Sequence, residues 1–534
     1  MSTTLGGTTG SSAASSAPTP ARAVESRDPA TGEVWRSFTA SDDAAVRAAA
    51  AAARVAQPAW ARESTRARAR VMERFRRVLV ARRAEVADTI RRENGKPAVE
   101  ATVAEIMVTL DMARFLAKQT PRLLAPHRFT PGNAAMWRKR VEVRREAFGV
   151  VGVISPWNYP FMLAAGLTLP AVAAGNGVLL KPSEFTPSCG VLLGELLVEA
   201  GVPAGLVQVL PGDGRTGAAL VESDIDKVFF IGSAATGRKV AARCGERLIP
   251  CVLELGGSDP AIILADADLD VAASGITWGR YSNAGQTCVA PKRIFAVDAV
   301  YDAFVQKLAA RVRALHVGAA ADADTDVGAM IRPSQAAATA RQLDDALAKG
   351  ATIAARADAP PGGYLAPTLL VQVTPDMLVL REETFGPVLP VIRVRDADEA
   401  VRLANATPFG LSASVWGRDT ANAARVAARV ESGTVTVNDV CTAPGIAEMP
   451  YGGVKQSGIG ASHGSAGLFE CTHEKAVIVD HLAGMRQPWW FGYGAERAAG
   501  VDAFLRFWHG RTIGERLGGI ARTLKLLLTH DRAI

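Results

Sequence analysis

Apolar and polar positions alternate along this chain in blocks of two distinct periods. From residue 41 the stretch SDDAAVRAAAAAARVAQPAWA has helical spacing. Ser41 is placed to cap it, with Asp42 and Asp43 in the first turn, where the helix dipole favours negative charge. Helical pattern continues to about Leu124. The texture then changes: MWRKRVEVRR (136–145) alternates large and charged residues at period two, which predicts an exposed or partner-covered strand. From residue 149 short apolar β-branched runs alternate with helical segments. GVVGVISP, GVLLKPS, LVQVLPGDG and KVFFIGS predict one set of buried strands, with FMLAAGLTLPAVAAG a helix between the first two. AIILADADLD, RIFAVD, VLPVIRV and GTVTVN predict a second set. Such alternation with Gly/Pro turns predicts an α/β fold of two doubly wound parallel-sheet domains with a cleft between them. Ligands in such sheets sit off the carboxyl ends of strands, so the turns there carry the candidate chemistry.

Composition narrows the picture. The 534 residues are 49% hydrophobic and 21% charged, enough for more than one domain with a sizeable core. Net charge is +7, with no long like-charge run, so no nucleic-acid footprint is expected. The six cysteines show neither metal-ligand nor CxxC spacing, which implies a reducing compartment and no metal. The Ser/Thr/Gly/Ala/Pro-rich start (1–24) is expected to be a disordered tail rather than a signal peptide. No run of about 18 apolar residues predicts a membrane-spanning helix. A cytoplasmic location is expected, with peripheral membrane contact kept open by the C-terminus.

Six turns carry candidate chemistry. SPWNYP (155–160) holds Asn158, a short amide able to donate to a developing oxyanion, or simply a turn former. LLKPSE (179–184) sets Lys181 and Glu184 three apart, as diol and anion contacts or as a surface ion pair. FIGSAATG (230–237) is a strand, a glycine turn and a helix start suited to phosphate, although its GxxxxG spacing is neither the GxGxxG fingerprint nor a P-loop. LELGG (253–257) embeds Glu254 in apolar residues, which raises a carboxyl pKa towards that of a general base. YSNAGQTCVAPKR (281–293) places Cys288 on a polar turn, as a nucleophile or a partly buried thiol. No histidine lies within twenty residues of it, which gives a Cys/His protease little support. EETFGPVLPV (382–391) offers Glu383 before a buried strand.

In order and spacing, PWN, KPSE, the GS turn, ELGG, NAGQTC and EETFGPV resemble the NAD(P)-dependent aldehyde dehydrogenase superfamily over roughly residues 25 to 480. Cys288 follows Glu254 by 34 residues, as that family's nucleophile follows its base. The resemblance implies a catalytic Cys288, a water-activating Glu254 and an oxyanion-binding Asn158. It implies cofactor contacts from Ser155, Trp157, Lys181, Ser183, Glu184, Gly212, Gly232, Ser233, Leu255, Glu383 and Phe385. NAD is the expected cofactor, with NADP possible, because Glu184 would repel a 2′-phosphate. It also implies a cofactor-binding domain of residues 25–135 and 150–257, a catalytic domain of 258–472, and oligomerisation strands at 136–149 and 473–483 that make a homodimer or homotetramer. Where the family often has Lys after ELGG, this chain has Ser258.

The substrate is expected to be a small-molecule aldehyde. Phe161, Met162, Trp278, Tyr281 and Cys441 are candidate tunnel residues, an apolar set that points to medium- or long-chain or aromatic aldehydes. Succinate semialdehyde is the alternative, and would need a buried cation. A CoA-acylating enzyme is disfavoured by the presence of Glu254, and a non-catalytic relative by the presence of all three catalytic residues. Residues 484–534 extend beyond the family core as an amphipathic segment. Val501, Phe504, Leu505 and Trp508, then Ile513, Leu517, Ile520, Leu524 and Leu528, fall at helical spacing among arginines. This segment docks on protein or lies on an anionic membrane.

Overall fold

The computed structural model describes residues 22–482, 487 and 489–528. Most of the N-terminal tail, and parts of the C-terminal extension, fall outside the described residues. The chain divides into two compact units. The larger holds the described residues up to Lys118 together with Phe148–Cys471; the smaller holds Gln119–Ala147 and the described residues from Thr472 onward.

The larger unit contains two mainly parallel sheets. The six-stranded sheet runs in the order Gly458–Ile459, Cys251–Glu254, Lys227–Ile231, Val150–Ile154, Gly177–Lys181, Val207–Val209, and only its first edge strand is antiparallel. VVGVI and GVLLK are buried at every position, as expected of strands covered on both faces. Val150–Ile154 is central, and the chain winds first to one side of it and then to the other. The carboxyl end of this strand is therefore a topological switch point. The seven-stranded sheet runs Thr352–Arg356, Thr368–Val371, Val388–Val394, Pro291–Val297, Asp259–Ile263, Ser412–Trp416, Thr434–Val437, with only the first strand antiparallel. The eight strands expected from the apolar runs are all present. Cys251–Glu254 was not among them, because its four residues merge with the ELGG turn.

The first helix is Asp43–Arg62, and its cap is Asp42, whose carboxylate accepts from the Ala45 N–H at 2.8 Å. That places the cap one residue beyond Ser41. The next helix, Thr65–Ala81, buries Arg68, Met72, Phe75 and Leu79, a stripe at helical spacing. Arg68 has a local purpose: its guanidinium donates to the carbonyls of Ala173 and Ala174, at 2.9 and 3.3 Å. Those are the last carbonyls of Pro160–Ala174, a helix apolar on all sides and almost wholly buried. At the other end of that helix, Glu105 accepts from the N–H groups of Phe161 and Met162 at 2.9 and 3.1 Å. A buried cation at the carboxyl end and a buried anion at the amino end match the helix dipole. They fix the turn before the helix, which carries Asn158.

In the smaller unit, Thr472–Asp480 pairs antiparallel with Lys139–Ala147, which pairs with His127–Phe129. The strand expected at 136–145 thus starts at Lys139, after a 3-10 turn at Ala134–Met136 that Asn133 caps.

Candidate active site

A cavity of about 690 Å³ in the larger unit gathers residues from strand ends of the six-stranded sheet and from turns that precede strands of the seven-stranded one. That volume lies within the range of sites for small molecules and cofactors. Asn158, Trp157, Gly232, Ser233, Glu254, Leu255, Cys288, Glu383 and Phe385 all line it. Ser155, Lys181, Ser183, Glu184 and Gly212 do not. They lie at the carboxyl ends of neighbouring strands of the six-stranded sheet, where the Ser155 N–H donates to the Lys181 carbonyl at 3.1 Å and Lys181 pairs with Glu184 at 3.3 Å. Among the expected tunnel residues, Met162, Trp278 and Cys441 line the cavity. Phe161 and Tyr281 do not. Both are buried in packing, and the Tyr281 hydroxyl donates to the Thr368 carbonyl at 3.1 Å.

One positional expectation is corrected. Glu254 and Gly232 do follow strand carboxyl ends in the six-stranded sheet. Cys288 and Glu383 instead precede Pro291–Val297 and Val388–Val394, so they sit at the amino end of the seven-stranded sheet.

Cys288 is presented by an unusual turn. Asn283, Ala284 and Gly285 are consecutive left-handed residues, with φ of 50°, 52° and 75°. A Cβ at Gly285 would lie 2.5 Å from the Gly386 carbonyl oxygen, so only glycine fits there. The Asn283 amide donates to the Asn158 carbonyl at 2.7 Å, which ties the Cys288 loop to the Asn158 turn. Lys96 Nζ donates to the same carbonyl at 2.9 Å and pairs with Glu105 at 2.7 Å, both side chains being fully buried. The Asn158 backbone is thus held from two directions. Among the described residues no hydrogen bond engages its side-chain amide, which is left to meet a ligand.

Cys288 Sγ lies 3.8 Å from the Tyr451 hydroxyl, and Lys292 Nζ donates to the Cys288 carbonyl at 2.6 Å. Burial pushes the thiol up to about 11, against the lowering effects of Lys292 and Tyr451. Glu254 is buried, accepts from Ser462 Oγ at 2.8 Å through Oε1, and leaves Oε2 without a partner. Burial pushes its carboxyl up to about 8, partly offset by the Ser462 hydrogen bonds. Its carboxylate form, which grows as pH rises through about 8, has a free oxygen to take a proton from water. Gly257 N–H donates to Glu383 at 3.0 Å, and Lys292 lies 3.4 Å from the same carboxylate.

Three lining residues had no sequence signal. Tyr451 and Ser462 reach the cavity from a late loop, pairing backbone to backbone. His463, more than 170 residues from Cys288 in sequence, also lines the cavity and stacks against Tyr451 at 5.6 Å between centroids. Counting histidines near Cys288 could not find it. Burial lowers its pKa to about 4, so it is a neutral imidazole rather than a partner that would create a thiolate. Lys292 was visible as a charge in a buried strand and could have been found.

The other end of the cavity suits a dinucleotide. Ser233 caps the helix Ala234–Glu246, whose free N–H groups open towards the lining residue Gly232. Trp157 meets Phe385 edge to face at 5.5 Å, and the Arg332 guanidinium lies 5.5 Å above Trp157. Glu383 offers carboxylate oxygens for hydroxyl groups. A helix start, flat rings and acidic side chains match a pyrophosphate, a base or nicotinamide ring, and a ribose.

The profile of the aldehyde dehydrogenase family matches residues 16–477, and the chain belongs to that family. It is an NAD(P)-dependent oxidoreductase acting on aldehydes. A Mycolicibacterium smegmatis protein named putative succinate-semialdehyde dehydrogenase (NADP+) is 41% identical, covering 83% of this chain and 86% of its own length. A 4,4'-diapolycopene aldehyde oxidase of Methylomonas sp is 36% identical, covering 90% of each. The crystal structure of Mycobacterium tuberculosis aldehyde dehydrogenase complexed with NAD+ aligns with a TM-score of 0.82 at 32% identity, covering 89% of this chain and 96% of its own.

Proposed function

We propose that this enzyme oxidises apolar aldehydes, of medium or long chain or aromatic, to carboxylic acids through a thioester on Cys288. The observation that carries the reading is the convergence of Cys288, Glu254 and Asn158 on one cavity whose far end is apolar. That end is lined by Val103, Val108, Met162, Leu163, Trp278 and Ile446. Of the two basic side chains in the lining, Arg332 lies over Trp157 and Phe185 with its Nε unpartnered, and Arg341 pairs with Glu382 at 2.5 Å. A semialdehyde carboxylate placed among Val103, Val108, Met162, Leu163, Trp278 and Ile446 would meet no cation from that set, which is unfavourable.

The steps follow from the geometry. The Cys288 thiol gives its proton to water in the cavity and its sulfur attacks the aldehyde carbon, making a thiohemiacetal. The carbonyl electrons move onto oxygen, where the Asn158 amide and the Cys288 N–H hold the oxyanion. A bound nicotinamide dinucleotide supplies the hydride acceptor. The carbon–sulfur bond is then a thioester. Glu254 takes a proton from water, the water oxygen bonds to the acyl carbon, and the Cys288 sulfur leaves as the acid is released.

Ser155, Trp157, Lys181, Ser183, Glu184, Gly212, Gly232, Ser233, Leu255, Glu383 and Phe385 form the cofactor site in this reading. Residues 25–135 and 150–257 make up the cofactor-binding domain, and residues 258–472 the catalytic one. Glu184 favours NAD over NADP by repelling a 2′-phosphate. The strand Thr472–Asp480 is an edge of its sheet with Ile478 and Val479 exposed, which favours pairing with a second subunit in a homodimer or homotetramer.

The test is reduced-nicotinamide formation with acetaldehyde, hexanal, dodecanal, benzaldehyde and succinate semialdehyde, each with NAD and NADP. The reading expects the highest kcat/KM for dodecanal or benzaldehyde with NAD. A preference for succinate semialdehyde would overturn the substrate assignment, and equal use of NADP would overturn the role of Glu184.

A further inference from the structure

The last described segment is a helical hairpin, Ala495–His509 and Ile513–Leu528, and it is packed inside out for water. Its seam is made of small residues: Gly500, Ala503, Gly519 and Thr523 are the buried positions. The helices approach so closely that a Cβ on Gly519 would lie 2.4 Å from the Ala503 carbonyl oxygen. Phe504, Phe507, Ile520, Leu526 and Leu527 are half-buried, Leu526 against Gly500 and Phe507 beside Gly519, but the remaining large apolar residues face outward. Val501, Leu505 and Trp508 on the first helix, with Ile513, Leu517 and Leu524 on the second, are exposed, Ile513 to 78%. Trp489, Trp490 and Tyr493 are exposed just before the hairpin. In water the hydrophobic effect drives the reverse arrangement, with leucines inside and glycines out. Small residues in the seam and large ones outside are how helices pack against each other in lipid.

The charge and length of the hairpin decide what covers this face. Residues 489–528 carry six Arg/Lys against three Asp/Glu. Two copies of the hairpin would bring like charges together, whereas an anionic surface complements them. No helix among the described residues is long and apolar enough to cross a membrane. The second helix has 16 residues, about 24 Å at 1.5 Å per residue, short of a bilayer core of about 30 Å. A short hairpin with outward leucines, flanking tryptophans and arginines lies in the interface, its aromatics at headgroup level and its arginines on phosphates.

We propose that this hairpin binds the surface of an anionic lipid bilayer without spanning it. The inference does not rest on the substrate reading and would stand if that failed.

The test uses the full-length protein with sucrose-loaded vesicles of phosphatidylcholine alone or mixed equally with phosphatidylglycerol. The protein is expected to sediment with the mixed vesicles, and far less with phosphatidylcholine or at high salt. The double variant Leu505→Glu with Leu517→Glu is expected to remain in the supernatant while keeping its aldehyde oxidation and its molar mass. The triple variant Arg511→Gln, Arg516→Gln, Arg522→Gln alters exposed side chains, of which Arg516 also donates to the Gly510 carbonyl at 2.7 Å, and keeps the test valid if the first variant misfolds. Each lost charge is expected to weaken partition roughly fivefold. Wild-type protein that stays soluble with both vesicle types overturns the proposal, as does unchanged binding by the triple variant. A double variant whose molar mass falls to that of a smaller oligomer shows that a second copy covers the face, and also overturns it.

Discussion

Cys288 and Glu254 share one cavity, and each is held in its protonated form at neutral pH by burial, the thiol at about 11 and the carboxyl at about 8. Two predictions belong to this scale. Turnover limited by thioester hydrolysis should rise with pH through about 8, because Glu254 acts as the carboxylate. Ser462→Ala removes the hydroxyl hydrogen bond, one of the two from Ser462 that lower the Glu254 pKa, so the ascending limb of the kcat–pH profile should move to higher pH. The stability sign runs the other way. A carboxyl with a folded pKa above its unfolded value keeps a proton that the unfolded chain sheds, so stability falls as pH rises from about 4.5 to about 8. Glu254→Gln escapes that loss, and its Tm should gain on the wild type as pH rises through this window. Asn158→Ala should lower kcat by about 10²–10³, the usual loss for one oxyanion donor, with substrate binding little changed. Cys288, Glu254 and Asn158 were legible because short motifs carry them. Tyr451, Ser462 and His463 were not, because a loop more than 160 residues after Cys288 delivers them and no local pattern marks such a contact.

At the scale of elements, the helix Pro160–Ala174 sets the position of Asn158, and it is pinned by Glu105 at its start and Arg68 at its end. Lys96 neutralises Glu105 and also holds the Asn158 carbonyl. Lys96→Met leaves Glu105 buried without its partner, and should destabilise the fold by about 3–5 kcal/mol, read in denaturant unfolding. Activity under conditions where the variant is folded should fall too, because the Asn158 turn loses a donor. The alternation of apolar runs and glycine turns made eight strands of the two sheets readable, since parallel strands buried on both faces are continuous apolar runs, but not Thr352–Arg356, Thr368–Val371, Ser412–Trp416, Cys251–Glu254 or Gly458–Ile459. The buried charges that orient the central helix were not readable. Lys96 sits in the turn Gly95–Pro97 and Glu105 in the helical stretch Thr102–Met107, and only tertiary packing brings the two together in the interior.

For the whole molecule, the edge strand Thr472–Asp480 and the C-terminal hairpin are the surfaces that point beyond the chain. Ile478→Asp with Val479→Asp places charge on the exposed edge and should lower the molar mass in light scattering if this edge pairs with another subunit. The amphipathic spacing of the C-terminus was visible in the sequence. What it could not show is that the fully buried positions between the two helices are glycine, alanine and threonine, which leaves Leu505, Leu517, Leu524 and Leu528 exposed.

The central claim is that Cys288 carries the acyl group and Glu254 drives its release. It is tested most directly by intact-protein and peptide mass spectrometry of Glu254→Gln after mixing with hexanal and NAD. Loss of the general base should slow release by about 10²–10⁴ and let the acyl enzyme accumulate. The account predicts a hexanoyl adduct on the peptide bearing Cys288, absent from Cys288→Ala. An adduct on Cys441 instead, or full turnover by Glu254→Gln with no adduct, would contradict it.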